Sequence, residues 1–346
     1  MASDVPGPWI RRPLSSSFVV VATIVAPIVA PVALLAAAIV DVLTRTPRFR
    51  RTRGIALIAS LIVIDFIGQV LVFGCWLISP FGFAMDSPRN QRCNQSVMTF
   101  WTRRLMSAIS LITPLPIDYS ELDESLLGGN AIVVGRHRSL LDAVFPAQLF
   151  GSRRLTAYYT LKEDLRWEPN IDIVGHRMGH VFVTRSPADL ESELEPIRAL
   201  ASRIDGSSVG VIFPEGTFFS ETRRLRALAS IENANPEHLA QAEKLQYLLP
   251  PRPAGTLALL DGAPNADVIM LGHVGFEPFG TIKDILLNMG AHHRVSVRAW
   301  RFDRSTVPTD ASEQVSWLFD RWIEMDTWIA THHPLSAQAP SVAKGS

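Results

Sequence analysis

Residues 131–142 read AIVVGRHRSLLD. The first five are small or β-branched and carry no charge, a composition that suits a strand buried on both faces. Gly135 ends the run, His137 falls in the turn, and Ser139 opens a helix with Asp142 three residues on. Ser-x-x-Asp is a capping-box-like start, which accounts for Ser139 and Asp142 with no chemistry attached. It leaves His137 unexplained. A histidine in a turn, one helical turn from a carboxylate, can be held in one tautomer with its other ring nitrogen free to take a proton.

The same alternation continues on the C-terminal side. Strands are predicted at 155–161, 180–184, 209–213, 267–276 and 294–302, and helices at 140–150, 187–204, 220–232, 236–247 and 311–331. Such a pattern gives an α/β fold, with a mixed, mostly parallel sheet flanked by helices. The strand 209–213 runs into Phe213-Pro-Glu215-Gly216-Thr217. Open α/β sheets bind ligands at the carboxyl ends of their strands, although a glycine turn with a glutamate is by itself ordinary.

On the N-terminal side the composition changes. Pro13–Val40 has no charge, and Gly54–Met85 has one, Asp65. About 20 apolar residues suffice to cross a bilayer as a helix. The first run is about twice a usual signal core and a second follows, which favours embedded helices over a cleaved signal. Pro27 and Pro31 each remove a helix hydrogen bond, so the first run is expected to break into 14–26 and 32–43. Each piece, about 20 Å long, is too short to cross. Between the runs, TRTPRFRRTR (44–53) carries five arginines and no acid, the composition of a cytoplasmic loop. Asp65 is expected to reach headgroup water or an arginine. The organisation is therefore a tail (1–13), a membrane-embedded helical hairpin (14–85), a catalytic domain (86–334) and a disordered tail (335–346). Trp101, Arg103, Arg104 and Met106 lie in a helix-like interfacial connector at the start of that domain.

Across its 346 residues the chain has 33 basic and 33 acidic side chains. Residues 1–118 hold 11 basic and 5 acidic ones, and the remainder is acidic by six. The positives collect on the apolar segment rather than on a folded domain, against nucleic-acid binding. The two cysteines, Cys75 and Cys93, exclude a disulfide scaffold and a thiolate zinc site.

His137-x4-Asp142, followed 78 residues after the histidine by Phe213-Pro-Glu-Gly-Thr217, resembles the glycerophospholipid acyltransferase family, the lysophosphatidate acyltransferase group. Lys162-Glu-Asp-Leu165 with Pro169, and Gly179-His-Val-Phe-Val-Thr-Arg185, resemble its intervening blocks. Glu221-Thr222 and Leu248-Leu-Pro-Pro-Arg252-Pro-Ala-Gly255 look like the lysocardiolipin acyltransferase branch. The resemblance covers roughly residues 95–305. Two positions depart from it: Arg136 stands where the family has Asn or Ser, and Phe218 where it has Arg.

The resemblance implies transfer of an acyl chain from acyl-CoA or acyl-carrier protein to the free hydroxyl of a lysophospholipid, foremost 1-acylglycerol-3-phosphate. His137 would be the general base and Asp142 its orienting partner. Backbone N–H groups at the start of the 140–150 helix are expected to meet the oxyanion. Arg185 and Lys162 are the expected phosphate contacts. Glu215, Gly216 and Thr217 would shape the acceptor site, Glu215 holding glycerol hydroxyls or a basic neighbour. No cofactor or metal is implied beyond the thioester co-substrate, and the partners are membrane lipids. A cytoplasmic donor places the catalytic domain on the same side as the arginine loop, with the hairpin monotopic or re-entrant.

Two other readings compete: a non-catalytic lipid-binding module on the same fold, and a hydrolase using Ser208 in Gly206-Ser-Ser-Val-Gly210. The second lacks the strand-turn-helix order its motif needs. His292-His293 and His332-His333 are neighbours that point apart, and the glycines around His176 and His180 argue against a helix aligning them on a metal. Trp317, Leu318, Trp322, Met325 and Ile329 form a core-facing helical stripe.

Overall fold

The computed structural model describes residues 5–79, 82–84, 87–113, 115–184, 190–289 and 294–332. Arg185, His292, His293, His333 and the predicted tail 335–346 lie outside the described residues.

Seven strands form one sheet: β1 Ile117–Asp118, β2 Ala131–Gly135, β3 Thr156–Lys162, β4 Val181–Val183, β5 Ser208–Ile212, β6 Asp267–Val274 and β7 Val295–Phe302. Their spatial order is β1-β7-β6-β2-β5-β3-β4. All neighbours are parallel except β6 and β7. The central strand β2 is buried throughout, as its composition requires. Its residues alternate between two cores, Ala131 and Val133 facing one and Ile132 and Val134 the other.

Eleven α-helices are described: α1 Pro8–Leu43, α2 Arg50–Ile78, α3 Pro88–Ile112, α4 Leu141–Gly151, α5 Pro169–Met178, α6 Leu190–Ala201, α7 Glu221–Ala234, α8 Leu239–Ala242, α9 Pro253–Gly262, α10 Ile282–Leu287 and α11 Ala311–His332. Met106 and Ile109 of α3 pack with Phe145 and Phe150 of α4 and Leu57 of α2 on one face of the sheet. Ile197 of α6, Leu259 of α9 and Leu318, Trp322, Met325 and Ile329 of α11 fill the other. The C-terminal stripe is thus core, with Trp317 partly buried at its margin.

Three local expectations are corrected. The first apolar run does not break: α1 is one helix of 36 residues that begins at Pro8 and passes through Pro13, Pro27 and Pro31. Each proline forfeits one N–H bond, but in apolar surroundings a helix remains the way to satisfy the other peptide groups. The 236–247 segment is not a full helix. The backbone N–H groups of Gln246, Tyr247 and Leu248 donate to the Asp326 carboxylate at 3.0, 2.8 and 2.8 Å, instead of to helix carbonyls. Asp65 accepts the Trp101 indole N–H at 2.8 Å rather than meeting an arginine side chain.

α1 and α2 are each long and apolar enough to cross a membrane. α1 keeps its apolar residues outward, with Ile24 66%, Ile28 73% and Val32 69% exposed. The hairpin is nevertheless fastened to the domain along its length. Arg50 Nη1 donates to the Leu287 carbonyl at 3.3 Å, and Arg53 to that of Ile112. Asn170 Nδ2 donates to the Asp65 carbonyl at 3.1 Å, and Arg177 Nη1 to that of Val72 at 2.9 Å. Cys75 and Cys93 form a disulfide between α2 and α3, a pairing that the sequence reading did not foresee.

At the start of α1, Arg11 holds Asp172 of α5 with two nitrogens, at 2.8 and 3.3 Å, and Arg12 adds a third contact at 2.8 Å. Arg11 and Asp172 are both almost fully buried. Removing the carboxylate strands a guanidinium out of water. Asp172→Ala is therefore expected to destabilise the protein by about 3–5 kcal/mol. Thermal unfolding of the full chain in neutral detergent checks this.

Candidate active site

β2 lies between β5 and β6, so the turns leaving these three strands meet at one edge of the sheet. The β2 turn carries His137, the β5 turn carries Glu215–Thr217, and β6 ends beside them with His273. This is the edge at which parallel sheets present ligand sites.

Asp142 organises the β2 turn. Its Oδ2 accepts the backbone N–H of Ser139 at 2.6 Å and that of Arg138, and its Oδ1 accepts the Ser139 hydroxyl at 2.8 Å. His137 Nδ1 lies 3.5 Å from Oδ2, and His273 Nε2 lies 3.1 Å from Oδ1. Burial pushes the Asp142 carboxyl up, but the two imidazoles outweigh it and hold the group well below the usual carboxylate range. The amides expected to meet an oxyanion are therefore partly committed. Those of Arg138 and Ser139 go to Asp142, and that of Leu141 goes to the Ser139 hydroxyl at 3.1 Å.

Glu215 is turned inward. It is 2% exposed, and its oxygens accept the His137 N–H at 2.7 Å and the Leu249 N–H at 3.0 Å. It fixes the His137 backbone, and of the two expected partners, glycerol hydroxyls or a basic neighbour, the second has a counterpart in the nearby Arg136 charge. Gly216 beside it has φ +64°, a left-handed conformation that glycine adopts freely. The two departures from the family pattern also acquire places. Arg136 is buried and donates to Glu277 Oε1 at 2.6 Å and to the His273 carbonyl. The Phe218 ring lies 4.5 Å from that of His137, with the Phe213 ring at 4.9 Å. Lys162 Nζ lies 5.8 Å from the centre of Phe218, which brings it to the mouth of the site.

His137, Asp142, Lys162 and Glu215–Thr217 thus gather at one edge. His273 and Glu277 join them, and the sequence reading missed both. Ser208 stands at the opposite, amino end of β5, where its hydroxyl donates to Asp205 Oδ1 at 2.8 Å. His176 contacts Asp172 at 3.1 Å, while His180 follows Gly179 and accepts the Tyr159 N–H at 3.4 Å. Among the described residues no cluster of His, Cys, Asp or Glu is arranged to hold a metal ion.

Residues 116–235 match the family model described as Acyltransferase. Over these residues the chain is similar to the acyltransferase family. The matched stretch holds the His137, Lys162 and Glu215 turns and ends before His273 and Glu277. Among solved structures, the 1-acyl-sn-glycerophosphate (LPA) acyltransferase PlsC from Thermotoga maritima is similar at 15% identity, with a TM-score of 0.48. The likeness covers 80% of this chain and 96% of that chain. No curated protein matches it.

Burial pushes the Glu215 carboxyl up to about 8, against its two N–H donors and Arg136. This lies above its ordinary 4.5, so between those values the folded chain keeps a proton that the unfolded chain has released. The associated stability is complete below about pH 4.5 and is lost as pH rises to about 8. Glu215→Gln is expected to flatten that part of the stability profile by one proton. It also faces an N–H with an amide donor, costing about 1–3 kcal/mol. Thermal unfolding between about pH 5 and 8 measures both effects.

Proposed function

We propose that the protein transfers an acyl chain from a thioester, acyl-CoA or acyl-carrier protein, to the free hydroxyl of a lysophospholipid, foremost 1-acylglycerol-3-phosphate. The observation that carries this reading is the His137–Asp142 pair at the shared edge of β2, β5 and β6. With Nδ1 turned to Asp142, the other ring nitrogen of His137 is the one available to an acceptor. His137 takes the hydroxyl proton as the oxygen attacks the thioester carbonyl. The tetrahedral intermediate expels the thiolate, and the imidazolium returns the proton to it. Asp142 holds the ring and offsets its transient charge. No covalent acyl-enzyme is required. Lys162 at the mouth, with Arg185 from its motif, is assigned to the acceptor phosphate. The fixed position of His137 weighs against a lipid-binding module without activity, because such a module has no use for a base held by a buried carboxylate.

His137→Ala is expected to lower acyl transfer by about 10²–10⁴-fold while leaving the fold intact. Ser208→Ala, at the far edge, is expected to stay within a few-fold of wild type. Thiol release from acyl-CoA with lysophosphatidate is the measurement. Loss in the serine variant with retention in the histidine variant would reverse the assignment in favour of the hydrolase.

The donor is cytoplasmic, and so by composition is the loop with Arg45, Arg48, Arg50, Arg51 and Arg53. The proposed arrangement is a hairpin held in one leaflet, with that loop and the catalytic domain on the cytoplasmic side. The contacts running the length of α2 support it, since a helix crossing the bilayer would draw its partners on the domain into hydrocarbon. With Cys75 and Cys93 replaced by serine, Thr46→Cys and Ser312→Cys are expected to react with an impermeant thiol reagent only in inside-out vesicles. Thr46→Cys reacting from outside while Ser312→Cys reacts from inside would show that α2 crosses.

A further inference from the structure

A groove of about 520 Å³ lies on the outer side of the acyltransferase domain, between α3 and the C-terminal end of α4. Arg92, Ser96, Thr99 and Arg103 line it along α3, and Arg104 and Arg154 complete it. Positions 92, 96, 99 and 103 follow the helical repeat and share one face of α3 over about 16 Å. The whole of α3 contains no acidic residue. All four arginines are exposed, and among the described residues none is ion-paired. The neighbouring Glu124 is taken by Arg153, at 3.3 Å.

Four unpaired guanidinium groups around a cavity repel one another and await a counter-charge. Their planar N–H groups match phosphate oxygens, and the Thr99 hydroxyl adds a neutral donor. The source of the phosphate follows from position and rim. α3 is stapled to α2 by the disulfide and by the Trp101–Asp65 hydrogen bond, so the groove flanks the apolar hairpin. Its wall includes the Phe100 ring, which Arg104 covers at 5.3 Å, and about two helical turns beyond Arg104 stands Leu111, 83% exposed. Arginine beside a half-buried aromatic and an exposed aliphatic side chain suits the boundary between headgroups and acyl chains. The groove is also separate from the catalytic pair. α4 begins beside Asp142 and reaches the groove at Gly151, about 13 Å along its axis.

We propose that this groove binds the phosphate of an anionic phospholipid drawn from the leaflet that holds the hairpin. This is a lipid site apart from the one that supplies the acceptor. Its occupation would seat α3 against the headgroups and make the protein's lipid contacts depend on anionic lipid.

The test uses the full chain in neutral detergent micelles, titrated with phosphatidylglycerol, with phosphatidylcholine as the control. Binding is read from the rise in unfolding temperature that a ligand of the folded state produces. Wild type is expected to bind phosphatidylglycerol at least about tenfold more tightly than phosphatidylcholine. The triple variant R103Q/R104Q/R154Q is expected to lose about 10²-fold, near fivefold for each arginine. His137→Ala should bind as wild type does, which keeps this outcome independent of whether the proposed reaction is correct. Should the triple variant fail to fold, Arg103→Gln and Arg154→Gln alone carry the same test at about fivefold each. Equal binding of the two lipids by wild type, or undiminished phosphatidylglycerol binding by the arginine variants, overturns the proposal. So does inorganic phosphate binding as tightly as the lipid and displacing it, which would make this a soluble-anion site. Loss of transfer from acyl-carrier protein but not from acyl-CoA, with lipid binding unchanged, would assign the groove to an acidic protein instead.

Discussion

One buried carboxylate sets the geometry of the catalytic edge. Asp142 collects two backbone amides, a hydroxyl and two imidazoles on its two oxygens. A carboxylate out of water is costly unless its lone pairs are filled, and here the filling groups are the ones that must be placed. The Ser139 hydroxyl and amide define the start of α4. His137 comes from the turn before it, and His273 from a strand more than a hundred residues later. The same ion therefore caps a helix, orients the proposed base and ties β6 to β2.

Glu215 repeats the device one strand over. Its oxygens join the β2 turn to the chain at Leu249, so the turns after β2 and β5 are fixed to each other through backbone rather than side chains. A third acid, Glu277, anchors Arg136, and through it the His273 carbonyl. The floor of the site is thus a set of acids neutralised by amides and guanidinium. The walls are aromatic, formed by Phe213 and Phe218 around His137.

Much of this was legible in the sequence, for particular reasons. β2 and β5 are short, uncharged and bounded by turn residues, and both fall within a residue of their expected limits. The His137 and Asp142 relation is local, five residues along the chain, so the spacing allowed it and the family resemblance singled it out. His273 was hidden because it sits inside the apolar run of β6, where one histidine looks like a tolerated core residue. Only the pairing of β6 with β2 brings it to Asp142. The hold of Glu215 on the His137 and Leu249 backbone was not foreseen, because backbone amides leave no trace in side-chain patterns. Residues 169–178 and 253–262 were not read as helices. α5 contains a glycine and β-branched residues, and α9 is too short and too uniformly apolar to show a polar face. The continuity of α1 through its prolines was missed because the rule for proline is calibrated on helices in water.

The fastening of the hairpin has a mechanical consequence. A catalytic domain on a loose tether explores a wide range of heights and tilts, and must find a productive pose at every encounter with a substrate. Here α1 is tied at Asp172, and α2 is tied near both ends and stapled at Cys75. The hairpin and the sheet therefore move as one lever. The orientational entropy of presenting the His137 edge to a surface is spent once, when the chain folds, and is not charged again at each turnover.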